Sequence, residues 1–313
     1  MADDKKHIGG QAVIEGVMMR NKEVLAIAVR CPKRGIVLRQ EVLISVAQRW
    51  KFLRFPVLRG VVAFIEMLVV GTKALMYSAN QALEEEEETL TAPQMALTVT
   101  FALVAGISLF ILLPTVLMRF FQGIVTASPL LLNLGEGALR LSILMLYVLA
   151  ISRMPDVRRV FQYHGAEHMA VNCFEAGETL EVERVKTFSP LHPRCGTAFL
   201  LVVVFISVLL FSFFGWPSLA QRLLMRLALL PLVAGLAYEV IKLAGRVNSP
   251  LLYPIIWPGL MMQRLTTGKP DDQQLEVAIS ALKAALASEE GFGPAAEGCE
   301  EPERGAGVKS RAE

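Results

Sequence analysis

The sequence predicts an α-helical polytopic membrane protein with about four transmembrane helices. A small β-rich cytoplasmic part precedes the helices and an amphipathic helix follows them. Three observations carry this reading. Four apolar blocks, residues 95–118, 130–152, 197–214 and 222–243, each approach the ~20 residues that a helix needs to cross a hydrocarbon core. The Lys and Arg residues between the blocks alternate from one side to the other. The N-terminal part has a different texture, with short runs of Val and Ile separated by turn residues.

Residues 1–50 form the β-rich segment. "QAVIEGVMMR", "EVLAIAVRC" and "GIVLRQEVLIS" read as strands of a meander, with "NK" and "CPKRG" as the turns between them. The start, MADDKKHIGGQ, is polar and lacks an apolar core, so no cleavable signal is expected. Residues 51–94 follow as an amphipathic helix and an acidic linker. Within 55–77, Arg59, Glu66 and Lys73 recur every seventh residue and share one face, while Val61, Ile65, Leu68 and Leu75 lie opposite. Such a helix lies in the membrane interface or packs on the bundle, with a tilted span as the alternative. The run "LEEEEE", ending at Glu88, reads as a solvated hinge.

Residues 95–249 are the membrane domain. Glu136 and Arg140 interrupt the second block. Arg222, Arg226, Glu239 and Lys242 lie near the ends of the fourth. The connection 119–129 carries only Arg119 and 215–221 carries no basic residue, whereas 153–196 carries Arg153, Arg158, Arg159, Arg184, Lys186 and Arg194. Positive charge stays on the cytoplasmic side, so both termini and the 153–196 loop are expected there. Residues 250–264 are apolar but broken by Pro250, Pro254 and Pro258, and read as an interfacial segment. "DDQQLEVAISALKAAL" is an amphipathic helix capped by Asp271 or Asp272, with a stripe of Leu275, Ile279, Leu282 and Leu286. Residues 288–313, rich in Glu, Gly, Ala and Pro, read as a disordered tail.

Composition narrows the function. Of 313 residues, 54% are hydrophobic and 19% charged, and the net charge is +2, which gives no support for nucleic acid as a partner. Membrane lipids are the expected surroundings, and a homo-oligomer is compatible with the spans. Four scattered cysteines without a CxxC pair do not form a disulfide framework.

The chain has four histidines, and two stand in "YHGAEHMAVNC". On a helix, His164 and His168 face the same way one turn apart, as pairs of metal-binding imidazoles do. With Glu167 they form H-x-x-E-H, the pattern in which two histidines hold zinc and the glutamate is the general base. The structural alternative is a pair of histidines that cap a juxtamembrane helix and bind lipid phosphate or backbone. "SPLHPRCGT" adds His192 and Cys195 just before the third block. Glu239, near the cytoplasmic end of the fourth, completes the candidate ligands: His164, His168, His192, Cys195 and Glu239, with Glu167 catalytic and a divalent metal, zinc by class, as cofactor. For Glu239 the alternative is an ion pair with Arg246, Lys242 or Arg153. For Cys195 it is a small buried thiol, and His7 reads as a solvated terminal residue.

"GGQAVIEGVMMR", "YHGAEHMAVNCFEAG", "HPRCGTAFL", "YEVIK" and "EVAISALKAAL" resemble the YqhQ-like family of bacterial membrane proteins over roughly residues 7–287. The family has no established function. The resemblance implies a bacterial cytoplasmic membrane and a metal-dependent enzyme, and it brings no substrate. Met169 stands where the family often has Lys, which changes a charge beside the site. Two readings stay open: a metal-dependent hydrolase of lipid-linked or peptide substrates, or a scaffold or assembly factor with a structural metal or polar cluster. Transport through four spans offers a thinner pathway.

Overall fold

A computed structural model describes residues 8–82, 91–122, 128–246 and 253–287. His7, the acidic run and the C-terminal tail lie outside the described residues. The protein is mostly helical, with four long apolar helices and an N-terminal four-stranded antiparallel sheet.

The sheet is a meander in the order β1 (Ile8–Val13), β2 (Gly16–Asn21), β3 (Val24–Cys31) and β4 (Gly35–Val42). "QAVIEGVMMR" is two strands, not one. Val13 pairs with Gly16 across a two-residue turn in which Glu15 takes φ 51°. Gly16 is obligatory there, because a Cβ would stand 2.3 Å from the Ala28 carbonyl oxygen. The next turn, Lys22–Glu23, falls one residue beyond the expected "NK".

Helices α1 (Val46–Arg49) and α2 (Leu58–Ala82) follow. The membrane bundle contains α3 (Ala92–Ile107), α4 (Leu113–Gln122) and α5 (Pro129–Ile151). Between α3 and α4 lies one wide π turn, Ser108–Leu112, just ahead of Pro114, whose ring cannot complete a regular turn. The candidate loop 153–196 is largely ordered as α6 (Pro155–Glu175) and the short α7 (Val182–Val185). Then come α8 (Gly196–Ser212), α9 (Leu219–Arg246), α10 (Tyr253–Thr266) and α11 (Asp272–Ala287).

Alternation along the strands gives the sheet two apolar faces. Val17, Met19, Ala26 and Ala28 pack with Tyr163, Ala166 and Ala170 of α6 and with Leu275, Ala278 and Leu282 of α11. Val13, Met18, Leu25, Ile27 and Val29 of the other face pack on Ala74 of α2. The sheet therefore lies between helices drawn from remote parts of the chain. Asp271 and Gln274 cap α11 reciprocally: the Gln274 N–H donates to Asp271 Oδ1 (2.8 Å) and the Asp271 N–H donates to Gln274 Oε1 (3.0 Å).

The bundle is apolar outward. Leu97, Phe101, Phe120, Leu146, Phe205 and Leu224 all stand exposed, the surface that a bilayer requires. Leu58–Ala82, Ala96–Gln122, Pro129–Ile151 and Leu219–Leu243 are long and apolar enough to cross. The set differs from the expected four in one member. α8 stops at 17 residues, a length of about 25 Å, where Phe213 and Phe214 lead into Gly215 at φ 66°. α2 qualifies by length, yet its second half lies on the sheet. Gly71 is pressed against Gln11, and the Ile14 N–H donates to Ser78 Oγ (3.1 Å). Its polar marks are absorbed locally: Glu66 accepts from Ser45 Oγ (2.9 Å) and from the Val46 N–H (2.7 Å).

Inside the bundle, the Glu136 carboxylate gathers Arg140 (3.2 Å), Arg222 and Arg226, and accepts from Thr115 Oγ1 (3.0 Å). A single carboxylate thus ties α4, α5 and α9 together.

Two outcomes test this architecture. Cysteines placed at Lys51 and Ala82 flank α2, and an impermeant thiol reagent should find both on the same side of the membrane; opposite sides would make α2 a span. Glu136→Gln leaves three buried guanidiniums around a neutral amide and should destabilise the protein by about 3–5 kcal/mol, read as loss of thermal stability in detergent.

Candidate metal centre

The H-x-x-E-H pattern lies on α6, where a helix was expected, and the helix is held tightly on both sides. Gly165 is crossed by the segment that follows α10. A Cβ on Gly165 would meet the Gly268 carbonyl oxygen at 2.1 Å, and the Gly268 N–H donates to the Phe161 carbonyl at 2.7 Å. This crossing brings the C-terminal end of α10 onto the histidines.

The imidazoles are oriented by backbone carbonyls. His164 Nδ1 lies 2.8 Å from the Thr266 carbonyl oxygen and His168 Nδ1 lies 2.6 Å from that of Pro190. A carbonyl only accepts, so each Nδ1 carries the proton and each Nε2 is left with its lone pair. His164 Nε2 stands 3.2 Å from Cys195 Sγ, and the two ring centroids are 4.4 Å apart. One ligand atom from each of His164, His168 and Cys195 lies within 4.8 Å of the others, a spacing that fits one metal ion. Cys195 sits at the N-cap of α8, where Sγ also accepts from the Thr197 N–H at 3.4 Å.

The remaining candidates divide. His192 is buried beside the cluster, its ring 5.7 Å from that of His168. The Arg194 N–H donates to its Nδ1 at 3.3 Å, so Nε2 carries the proton and lies 3.6 Å from a Glu175 carboxylate oxygen. Glu175 in turn pairs with Arg194. Glu167 is buried with an oxygen 4.0 Å from His168 Nε2. Its carboxyl rests on Gly10 of β1, where a Cβ would approach Oε1 to 2.7 Å. Glu239 does not join the group. Its carboxylate receives Arg59 Nε at 2.6 Å and the Val57 N–H at 3.4 Å, because α2 runs against α9 there. The ion-pair alternative describes Glu239, with Arg59 as its hydrogen-bonded partner and the positive charge of Lys242 nearby.

Burial pushes the Glu167 carboxyl above the usual carboxylate range, opposed by His164 and His192. Burial likewise holds His168 and His192 below the usual imidazole range, which favours neutral rings.

Several residues of the site carry no motif. Gln263 of α10 is fully buried and grips the His192 backbone at two points, its Nε2 donating to the carbonyl and its Oε1 accepting from the N–H, both at 2.8 Å. Asn172 donates to the carbonyls of Ser189 (2.8 Å) and Leu191 (3.1 Å). These contacts fix the 189–195 loop over α6. The "GGQ" stretch was visible in the sequence, but only the fold shows that Gly10 makes room for Glu167.

The cluster opens on a cavity of about 500 Å³. His164, Glu167, His168, His192 and Cys195 line one part, and Ala63, Phe64, Phe199 and Tyr238 of α2, α8 and α9 line another.

The family described as "Protein of unknown function (DUF1385)" matches residues 55–288. The uncharacterized protein YqhQ of Bacillus subtilis (strain 168) is 32% identical over 299 residues, covering 89% of this chain and 92% of that protein. No solved structure matches.

Gly165→Ala forces a methyl against a backbone carbonyl and should cost about 1–3 kcal/mol of stability. Gly9→Ala, with nothing within 4 Å of its Cβ position, should change stability by less than about 0.5 kcal/mol. Paired thermal melts in detergent check the contrast. Gln263→Leu leaves the His192 N–H and carbonyl buried without partners and should cost about 1–3 kcal/mol in the same measurement.

Proposed function

The chain belongs to the DUF1385 family of proteins of unknown function, and we propose that it is a metal-dependent hydrolase of the bacterial cytoplasmic membrane, acting at the cytoplasmic face on a lipid-linked or peptide substrate. The observation that carries this reading is the pair of Nδ1–H···O=C bonds. Histidines that ligate metals usually give their other ring proton to a carbonyl or carboxylate, which fixes tautomer and direction. Here both do, and both free Nε2 atoms converge with a thiol.

A set of two imidazoles and one thiolate suits zinc, and three protein ligands leave a tetrahedral position open, as catalytic sites do. A divalent ion held there supplies Lewis acidity and makes water more acidic. Glu167 would take the proton of the attacking water and later return it to the leaving group; its carboxylate lies 4.0 Å from His168 Nε2, beside the three ligand residues. His192 lines the cavity while its Nε2 is turned toward the Glu175 carboxylate, which holds the ring in place beside the cluster. Gly10, by lacking a side chain, lets Glu167 lie where it does. The alternation of basic connections supports cytoplasmic termini and a cytoplasmic site.

Metal analysis of detergent-purified protein tests the proposal. Wild type should carry close to one equivalent of zinc-class metal. His164→Ala, His168→Ala and Cys195→Ala should each fall well below it. Glu167→Gln should keep the metal and abolish hydrolysis, and Glu239→Gln should keep the metal as well. Wild-type protein that binds no metal under reducing conditions overturns the hydrolase. Metal retained together with full cellular function in Glu167→Gln would make the ion structural and the protein a scaffold.

A further inference from the structure

The walls of the 500 Å³ cavity carry more information than its ligands. Its floor is the histidine cluster and Glu167. One flank is aromatic and aliphatic, formed by Phe64 and Met67 of α2, Phe199 of α8, and Tyr238 and Ile241 of α9. Phe64 and Phe199 stack with centroids 5.7 Å apart, and the helices that carry them are apolar on their outer surfaces. Another part of the lining is basic: Arg20 and Lys22 at the end of β2, with Arg194, which pairs with Glu175, just before α8. Glu167 is the sole acidic residue among those lining the cavity.

This arrangement sorts substrates. A peptide needs backbone partners and has no use for an aromatic wall continuous with the membrane side of the bundle. A soluble anion needs the basic flank alone. An amphiphile with an anionic head uses both, its chain against Phe64, Phe199 and Ile241 and its charge between Arg20, Lys22 and the cluster. Guanidinium and ammonium groups on one rim recognise phosphate oxygens in particular.

We propose that this cavity binds an anionic lipid whose headgroup ends in a phosphate monoester, the phosphate facing Arg20 and Lys22 and the acyl chain lying along α2, α8 and α9. The inference rests on the hydrolase reading only for the step that follows binding, and it names the substrate class of that site. Gly10 fits the same picture: its missing side chain leaves the room that the Glu167 carboxyl fills at the cavity.

The test is calorimetric binding to the full-length protein in a neutral detergent. The probes are dioctanoyl phosphatidate, dioctanoyl phosphatidylcholine and glycerol 3-phosphate. Phosphatidate should bind at least roughly tenfold more tightly than either of the others. Arg20→Gln with Lys22→Gln should weaken phosphatidate by about tenfold or more without lowering the melting temperature. Removing Arg49 and Lys51, which lie outside the cavity, should leave binding unchanged. Phe64→Ala should weaken phosphatidate and leave glycerol 3-phosphate unaffected. Phosphatidylcholine binding as well as phosphatidate overturns the headgroup assignment, and glycerol 3-phosphate binding as well overturns the lipid. The two readings fail separately. Selective phosphatidate binding by wild-type protein that binds no metal keeps the lipid site and removes the hydrolase; the same selectivity in His164→Ala shows that the lipid site stands without the ion. A metal-loaded protein without lipid selectivity keeps the hydrolase and removes this inference.

Discussion

The crossing of α6 by the chain at Gly268 is the contact on which the rest of the site depends. Two residues without side chains let backbone meet backbone, Gly165 beneath the Gly268 carbonyl and the Gly268 N–H on Phe161. That approach sets the height of Thr266, whose carbonyl turns His164, and it carries Gln263 under His192. His164 is therefore aimed by a residue 102 positions further along the chain, and His168 by Pro190, 22 positions along. An imidazole alone rotates freely about two bonds; an imidazole with its Nδ1–H committed to a fixed carbonyl does not.

The sheet and the bundle meet around this contact. β1 supplies Gly10 to Glu167, α8 begins at Cys195, and α2 spans the seam between sheet and bundle, with Arg59 on Glu239 at one end and Ser78 on Ile14 at the other. Glu167 and Ser78 are buried, and Arg59 and Glu239 half-buried, so these polar groups would be costly without their partners. The site is consequently rigid on the polar side and walled by lipid-facing helices on the apolar side.

Much of this was legible in the sequence, because its signals are local. Apolar blocks of span length, the seven-residue recurrence in α2, the Asp271 cap and the i, i+4 histidines all follow from periodicity within one element. Cys195 joined the histidines as expected. The misses are long-range. Glu239 looked like a ligand because its partner, Arg59, lies 180 residues away. The β1–β2 hairpin hid inside an unbroken apolar run, since no Gly-Asn or Pro marked the turn and Glu15 adopts the positive φ itself. The 153–196 segment looked like a loop appended to the bundle. Its polar composition did not reveal that Tyr163, Ala166 and Ala170 would close a core with strands and a C-terminal helix. Gln263 and Asn172 act on backbone atoms, which every residue possesses, so no pairing pattern could announce them.

The sheet's two apolar faces have a consequence for biosynthesis. One face is covered early, by α2, which leaves the ribosome soon after the strands. The other waits for α6 and then for α11, which are separated from the strands and from each other by membrane helices. Until α6 is made Val17, Met19, Ala26 and Ala28 have no covering helix, and a nascent chain halted before residue 272 would still lack the α11 side of their cover, open to chaperones and proteases. That face of the sheet is thus completed only after every helix of the bundle has been made.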